Sequence, residues 1–195
     1  MKALPVNKDF FGCVTVEAAQ KLLGHYLCRE TDEGLVSGII VETEAYLSEN
    51  DPACHASRGR TKRNSAMFGP AGMAYVYFIY GSYHCFNVVT GPAGKGEAVL
   101  IRAVQPVEGL DLMFRRRGNK CAVKNLTSGP GKLCQAFAID ESLNNHDLQR
   151  KPLYLEENSM NSENIAIKST PRIGVSSAKN KYLRFVIVDN HYLSR

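Results

Sequence analysis

The stretch Ile39-Ile40-Val41-Glu42-Thr43-Glu44-Ala45-Tyr46 decides how the chain is read. Its β-branched and apolar density predicts a strand, which we extend over residues 35–46. Strand side chains alternate between faces, so Ile39, Val41, Thr43 and Ala45 are expected on a core-facing side. Glu42, Glu44 and Tyr46 fall on the other. Carboxylates two residues apart on one face lie roughly 7 Å apart by strand rise. At that range each raises the pKa of the other unless a cation or water intervenes. The pattern fits either the polar face of an edge strand or a carboxylate that activates water beside an aromatic wall. Cleavage at a sugar anomeric carbon asks for the second: a base for the water, and negative charge against an oxocarbenium-like transition state. Spacing alone leaves Glu42 and Glu44 indistinguishable.

Upstream, Thr15 is placed to cap a helix over residues 16–23 that Gly24 ends, and residues 25–29 read as a strand before the turn Thr31-Asp32-Glu33-Gly34. Downstream, residues 48–66 are polar and irregular. Residues 73–80 and 83–90 read as a hairpin about a two-residue Gly81-Ser82 turn. Another strand is expected over 97–104, a helix from Pro106 to Arg117 stopped by Gly118, and a second helix from Pro130 to Ala138. Residues 141–164 are polar and expected to be partly mobile. Late strands are expected at 165–169 and 182–188. The sum is α+β: one domain over residues 1–195, with a curved, mostly antiparallel sheet, flanking helices and a protruding hairpin.

Composition sets the outer limits. The 195 residues are 44% hydrophobic and 22% charged, enough apolar side chain for a real core. No apolar run approaches the roughly 18 residues of a membrane helix, and residues 1–9 hold no apolar stretch of signal-peptide length. An intracellular protein is expected, in cytoplasm or nucleoid if bacterial and in the nucleus if eukaryotic. Six cysteines form no Cys-x-x-Cys pair and five histidines no His-x-x-x-His pair, so no metal site is expected and the thiols read as reduced. The net charge of +5 is concentrated. Arg58, Arg60, Lys62 and Arg63 form one cluster, and Arg115, Arg116, Arg117, Lys120 and Lys124 another, as phosphate contacts require. Gly91 to Gly96 misses the Walker spacing, and Ser128-Gly129-Pro130-Gly131-Lys132-Leu133 has Leu where Ser or Thr must follow the Lys; the second suits a phosphate at a helix start. Tyr75, Tyr77, Tyr80 and Tyr83 crowd the hairpin, a density suited to stacking on bases.

Taken in order, Glu42-Thr43-Glu44-Ala45-Tyr46, His55, Thr61-Lys62-Arg63-Asn64, Met67-Phe68, Tyr75-Val76-Tyr77 and Tyr80-Gly81 resemble the alkyladenine (3-methyladenine) DNA glycosylase family. Phe86-Asn87-Val88, residues 100–103, 106–109 and 126–135, and Pro171-Arg172-Ile173-Gly174 agree. The resemblance implies a monofunctional enzyme, without cofactor or metal, acting on double-stranded DNA that carries a damaged purine. It implies Glu44 as general base, with Arg102 holding the water and a nearby phosphate. Tyr46, His55 and Tyr77 would enclose the flipped base, the backbone at His55 would read its edge, and Asn87 would oppose the exocyclic amine of guanine. Tyr80 would be the wedge. Tyr83, Arg58, Arg60 and Arg63 would contact DNA, and a monomer is expected. Two rivals remain at this level. One is a non-catalytic binder of distorted DNA, in which a carboxylate in an aromatic pocket would have no use. The other is a carbohydrate hydrolase built on Glu42 and Glu44, disfavoured by the basic charge and the lack of tryptophan.

Overall fold

The structure, a computed structural model, describes residue 6 and residues 8–79, 81–119, 121–158 and 165–194. Among the described residues, eight strands form one sheet: β1 (Tyr26–Thr31), β2 (Gly34–Tyr46), β3 (Ala74–Ile79), β4 (Tyr83–Thr90), β5 (Glu97–Glu108), β6 (Leu153–Glu156), β7 (Ile167–Thr170) and β8 (Arg184–Ile187). The order is β3-β4-β5-β2-β1-β6, and every pairing is antiparallel. The long β2 carries β1 along its first half and β8 beside Glu42, Thr43 and Glu44, with β5 on its opposite edge. It is therefore an interior strand. The edge-strand reading of the two carboxylates falls.

Among the described residues, four short α-helices flank the sheet: α1 (Lys8–Phe11), α2 (Thr15–Lys21), α3 (Leu110–Arg116) and α4 (Pro130–Ala136). Ala18 and Ala19 of α2 are buried in the main core with Val36, Ile40, Phe86, Val99 and Ile101, and Leu133 of α4 joins them. Burying one such large side chain contributes roughly 1.5–3 kcal/mol. Pro130 opens α4 as expected, since a first-turn residue needs no N–H partner.

Several expectations are corrected. Thr15 does not cap α2: Val14 holds that position, and the Thr15 hydroxyl donates to Glu97 at 2.5 Å. The helix expected from Pro106 begins only at Leu110, because β5 runs on to Glu108. Pro106 sits opposite Gly38, where β5 still runs beside β2 but its pairing with β4 has ended. Gly109 then turns the chain at φ +75°, and a Cβ there would lie 2.4 Å from the Leu35 carbonyl oxygen. The hairpin's last pair is Ile79 with Tyr83, so three residues intervene rather than two. Within the polar stretch 141–164, residues 153–156 form β6 against β1, anchored by fully buried Leu153 and Leu155. The mobility expected of that stretch includes residues 159–164, which lie outside the described residues, as do Tyr80 and Lys120.

Strict alternation along β2 also fails. Ile40 pairs with Val104 but Glu42 with Ala103, which makes Val41 an extra residue. Glu42 pairs with Ala103 but Thr43 with Ile101, which makes Arg102 an extra residue on β5. The core face is thus Val36 and Ile40 before the irregularity and Ala45 after it, with Thr43 donating to the Ala19 carbonyl of α2. Ile39 is only half-buried, and Val41 is buried outside that core. Paired bulges of this kind re-aim side chains. Here they bring Arg102 to Glu42 and Glu44.

Candidate active site

Glu42 and Glu44 are both fully buried, and Arg102 supplies the cation their proximity requires. Its Nε donates to Glu42 Oε1 at 2.9 Å, and its Nη1 stands 3.4 Å from Glu44 Oε2. The two carboxylates differ in everything else. Glu42 Oε1 also accepts from Arg184 Nε at 2.7 Å and from the Ser194 hydroxyl at 2.6 Å, and Oε2 from the Ser194 backbone N–H at 2.6 Å. Burial pushes its pKa up, but Arg184, Ser194 and Arg102 outweigh that and hold it below the ordinary value. Among the described residues, Glu44 accepts only the Ile173 N–H on Oε1 and the Tyr46 hydroxyl on Oε2, each at 2.8 Å, beside Arg102. A carboxylate has about four lone-pair sites, so Glu44 retains acceptor capacity that Glu42 lacks.

Two cavities, of about 290 and 440 Å³, meet at Tyr46, Tyr77, Ile79 and Gly174. The smaller is walled by Tyr46, His55, Met67, Tyr75, Tyr77 and Asn87. The His55 and Tyr77 rings touch edge to face with centroids 4.7 Å apart, so the two form one wall rather than opposite sides of a slot. His55 Nδ1 is 2.9 Å from the Tyr75 hydroxyl, and Asn64 Nδ2 donates to the His55 carbonyl. His55 stays exposed at the rim, yet burial of its ring against these tyrosines, with Arg63 nearby, lowers its pKa below 6.5. Burial raises the Tyr46 hydroxyl, with Glu44 adding to the shift, and burial likewise raises Tyr77, so both stay protonated. Asn87 is buried and donates to the Tyr75 carbonyl across the hairpin. The larger cavity brings Arg102 and Ser194 to Ser128, Gly129, Pro130, Gly131, Lys132 and Arg117. Glu44 lies behind both cavities, and three groups around it, Tyr46, Arg102 and Ile173, line the larger one.

Of the other expected contact residues, Arg58, Arg60 and Arg63 lie outside these walls, whereas Tyr83 lines the larger cavity. Arg58 and Arg60 are exposed on the 3₁₀ turn His55–Arg58 and the chain just after it. Arg63 donates to the Phe78 carbonyl and sits 5.9 Å from the Tyr77 ring. Tyr83 is exposed at the hairpin end and packs on Gly131. Two arginines of the second basic cluster are occupied. Arg116 bonds Glu33, Thr31 and the Ala136 carbonyl, and Arg117 bonds Gln135. Among the described residues, no group of three or more His, Cys, Asp or Glu is placed to hold a metal ion, and the six cysteines are free thiols.

Sequence reasoning missed Asp51, Ser194 and Arg184, and gave no role to Arg172. Only the Pro171-Arg172-Ile173-Gly174 fragment pointed toward the last. All four act through bonds to residues more than 90 positions away, which leave no local signal.

A carboxylate behind an aromatic cavity, with exposed aromatics and arginines at its mouth, is the arrangement of a hydrolase of N-glycosyl bonds in DNA. The chain belongs to the methylpurine-DNA glycosylase family, whose model, Methylpurine-DNA glycosylase (MPG), matches residues 9–191. It is 49% identical over 189 residues to a protein of Carboxydothermus hydrogenoformans, covering 96% of this chain and 97% of that one. It is 48% identical to a protein of Methanoculleus marisnigri (95% and 96%) and 46% identical to one of Prosthecochloris aestuarii (97% and 91%). All three are named "Putative 3-methyladenine DNA glycosylase".

Proposed function

We propose that the chain, acting as one monomeric domain inside the cell, extrudes alkylated or deaminated purines from duplex DNA and hydrolyses their N-glycosidic bond. Candidate bases are 3-methyladenine, 7-methylguanine and hypoxanthine. The observation that carries this reading is the asymmetry between the carboxylates: Glu42 is saturated by cations and donors, whereas Glu44 keeps acceptor capacity behind the cavity wall. The base enters the smaller cavity, with Tyr46 facing the wall of Tyr77 and His55 and with Asn87 near its edge. A water beside Arg102 gives a proton to Glu44 as its oxygen attacks the anomeric carbon. The C–N bond breaks and its electron pair leaves with the base. A cationic alkylpurine leaves as a neutral base, whereas hypoxanthine requires a proton at the ring. Tyr83, Arg58, Arg60 and Arg63 contact the DNA, and Tyr80 is assigned as the wedge from the motif alone. No metal or organic cofactor takes part in this scheme.

Glu44→Gln removes the base while keeping shape. Single-turnover excision of hypoxanthine should fall by at least the ~10²–10⁴ typical of a lost general base, with lesion-DNA affinity near normal. Alkali cleavage at the resulting abasic sites measures the rate. Excision at the wild-type rate would overturn the assignment.

A further inference from the structure

We propose that Arg172 is a positioning residue for hydrolysis, clamped by Asp51 so that one guanidinium sets both Tyr46 and the backbone donor to Glu44. The inference rests on the reading of Glu44 as base and Tyr46 as cavity wall. Arg172 and Asp51 side chains are both 0% exposed, and neither lines a cavity. Arg172 Nη1 donates to Asp51 Oδ2 at 2.7 Å and Nη2 to Asp51 Oδ1 at 2.5 Å, a two-pronged fork. Nη1 also donates to the Ala45 carbonyl at 2.9 Å, which ties the loop after β7 to the end of β2. The guanidinium carbon lies 4.6 Å from the Tyr46 ring centroid. Because Tyr46 faces both cavities and Arg172 neither, the cation backs the ring on its protein side. Arg172 Nε has no hydrogen-bond partner among the described residues, and the guanidinium carbon over the ring is the cation's contact with Tyr46.

The next residue, Ile173, donates its N–H to Glu44 Oε1, and Gly174 lines both cavities. Asp51 in turn accepts the Leu47 N–H, which fixes the chain leaving β2. Lys181 donates to the Asn50 carbonyl, a second tie between the same two loops. The buried pair therefore joins the aromatic wall to the carboxylate's own donor. Burying two charges is a poor route to stability alone, since an apolar replacement often does as well. Fixing a ring and a carboxylate relative to each other is a task that geometry of this kind performs.

The test uses the full chain and duplex DNA bearing one hypoxanthine, with 2-aminopurine beside it to report base extrusion. Arg172→Gln combined with Asp51→Asn removes both charges and leaves no unpaired buried carboxylate. Single-turnover excision should fall about 10²-fold, the effect of ångström-scale misplacement, while affinity for undamaged duplex holds. The 2-aminopurine signal of extrusion should weaken with it. Arg172→Lys keeps the charge but not the fork or the flat stacking surface, and should restore only part of the rate. A folded double variant that excises at the wild-type rate overturns the proposal. If the double variant fails to fold, Arg172→Lys decides alone: full rate and full signal overturn it, partial loss of both supports it. Wild-type activity in Glu44→Gln would sink the general-base reading separately, since the Arg172 variants are scored on their own rate and signal.

Discussion

At the scale of single residues, Glu42 and Glu44 are equivalent in the sequence and unlike in the fold. Glu42 compensates Arg102 and Arg184 together, so its loss should register as stability. Glu42→Gln takes from Arg184 its carboxylate and from Arg102 the nearer of its two. It should cost on the order of 3–5 kcal/mol, as for removing one partner of a buried pair. Urea unfolding measures this, and an unchanged midpoint would contradict it. His55 makes a second residue-scale case. Its pKa is lowered below 6.5 by burial of the ring and by Arg63, so the native state holds it neutral. The unfolded chain binds more protons between that lowered value and 6.5. Its stability contribution is therefore complete above 6.5 and is lost as pH falls through the folded value. The same protonation places a second positive charge beside a cationic alkylpurine. Excision of 7-methylguanine should therefore drop on the acid side, below pH 6.5, and His55→Gln should remove that part of the drop. Identical acid limbs in wild type and variant would show that His55 does not titrate in the site.

At the scale of elements, periodicity located β2, β4 and the start of α4 because their patterns are local. It failed where a partner decides the outcome. The matched irregularities at Val41 and Arg102 exist only as a property of β2 and β5 together. The four-residue β6 is too short to show a period and is held by β1. Pro106 reads as a helix start until its place opposite Gly38 is known. The Ser-Gly-Pro-Gly-Lys turn reads as a phosphate loop, and the fold adds a second constraint. A Cβ on Gly131 would lie 2.9–3.1 Å from Tyr83 ring and Cβ atoms, too close for either to remain in place. Gly131→Ala should therefore push Tyr83 and the hairpin end away from α4. Overpacking of this kind costs about 1–3 kcal/mol. We expect lesion-DNA affinity to fall more than thermal stability does. Tyr83→Ala should relieve the clash, so that adding it to Gly131→Ala lowers stability less than the two separate losses combined. Strict additivity in that cycle would rule out the contact as the cause.

At the scale of the whole molecule, the net charge of +5 predicts a polyanion partner but not which cations meet it. The fold separates exposed Arg58 and Arg60 from Arg116, which is bonded internally. Besides Glu44, it gathers three further carboxylates into the interior, each with at least one donor from a distant part of the chain. Glu42 is held by Arg184, Ser194 and Arg102, Asp51 by Arg172 and Leu47, and Glu97 by Thr15, Ser48 and Lys95. In each, burial pushes the pKa up and the donors outweigh it, leaving the value below the ordinary 4.5 for the glutamates and 3.8 for the aspartate. Between the lowered and ordinary values the unfolded chain binds more protons than the native one. Stability from these groups is thus present above the ordinary values and lost as pH falls through the folded ones. Each differing proton contributes a slope of about 1.4 kcal/mol per pH unit. The urea midpoint should hold steady near neutrality and fall steeply below about pH 4.5. Glu97→Gln exchanges one of these protons for a permanent neutral amide. It should lower stability at pH 7 and flatten the acid slope by up to one proton, while leaving excision per folded molecule unchanged, because Glu97 lies on the Thr15 side of β5 and lines neither cavity. Urea titrations of wild type and variant at a series of pH values measure the difference in slope directly. Parallel acid limbs would mean that Glu97 binds its proton equally in both states, and that its bonds to Thr15, Ser48 and Lys95 do not stabilise its charge.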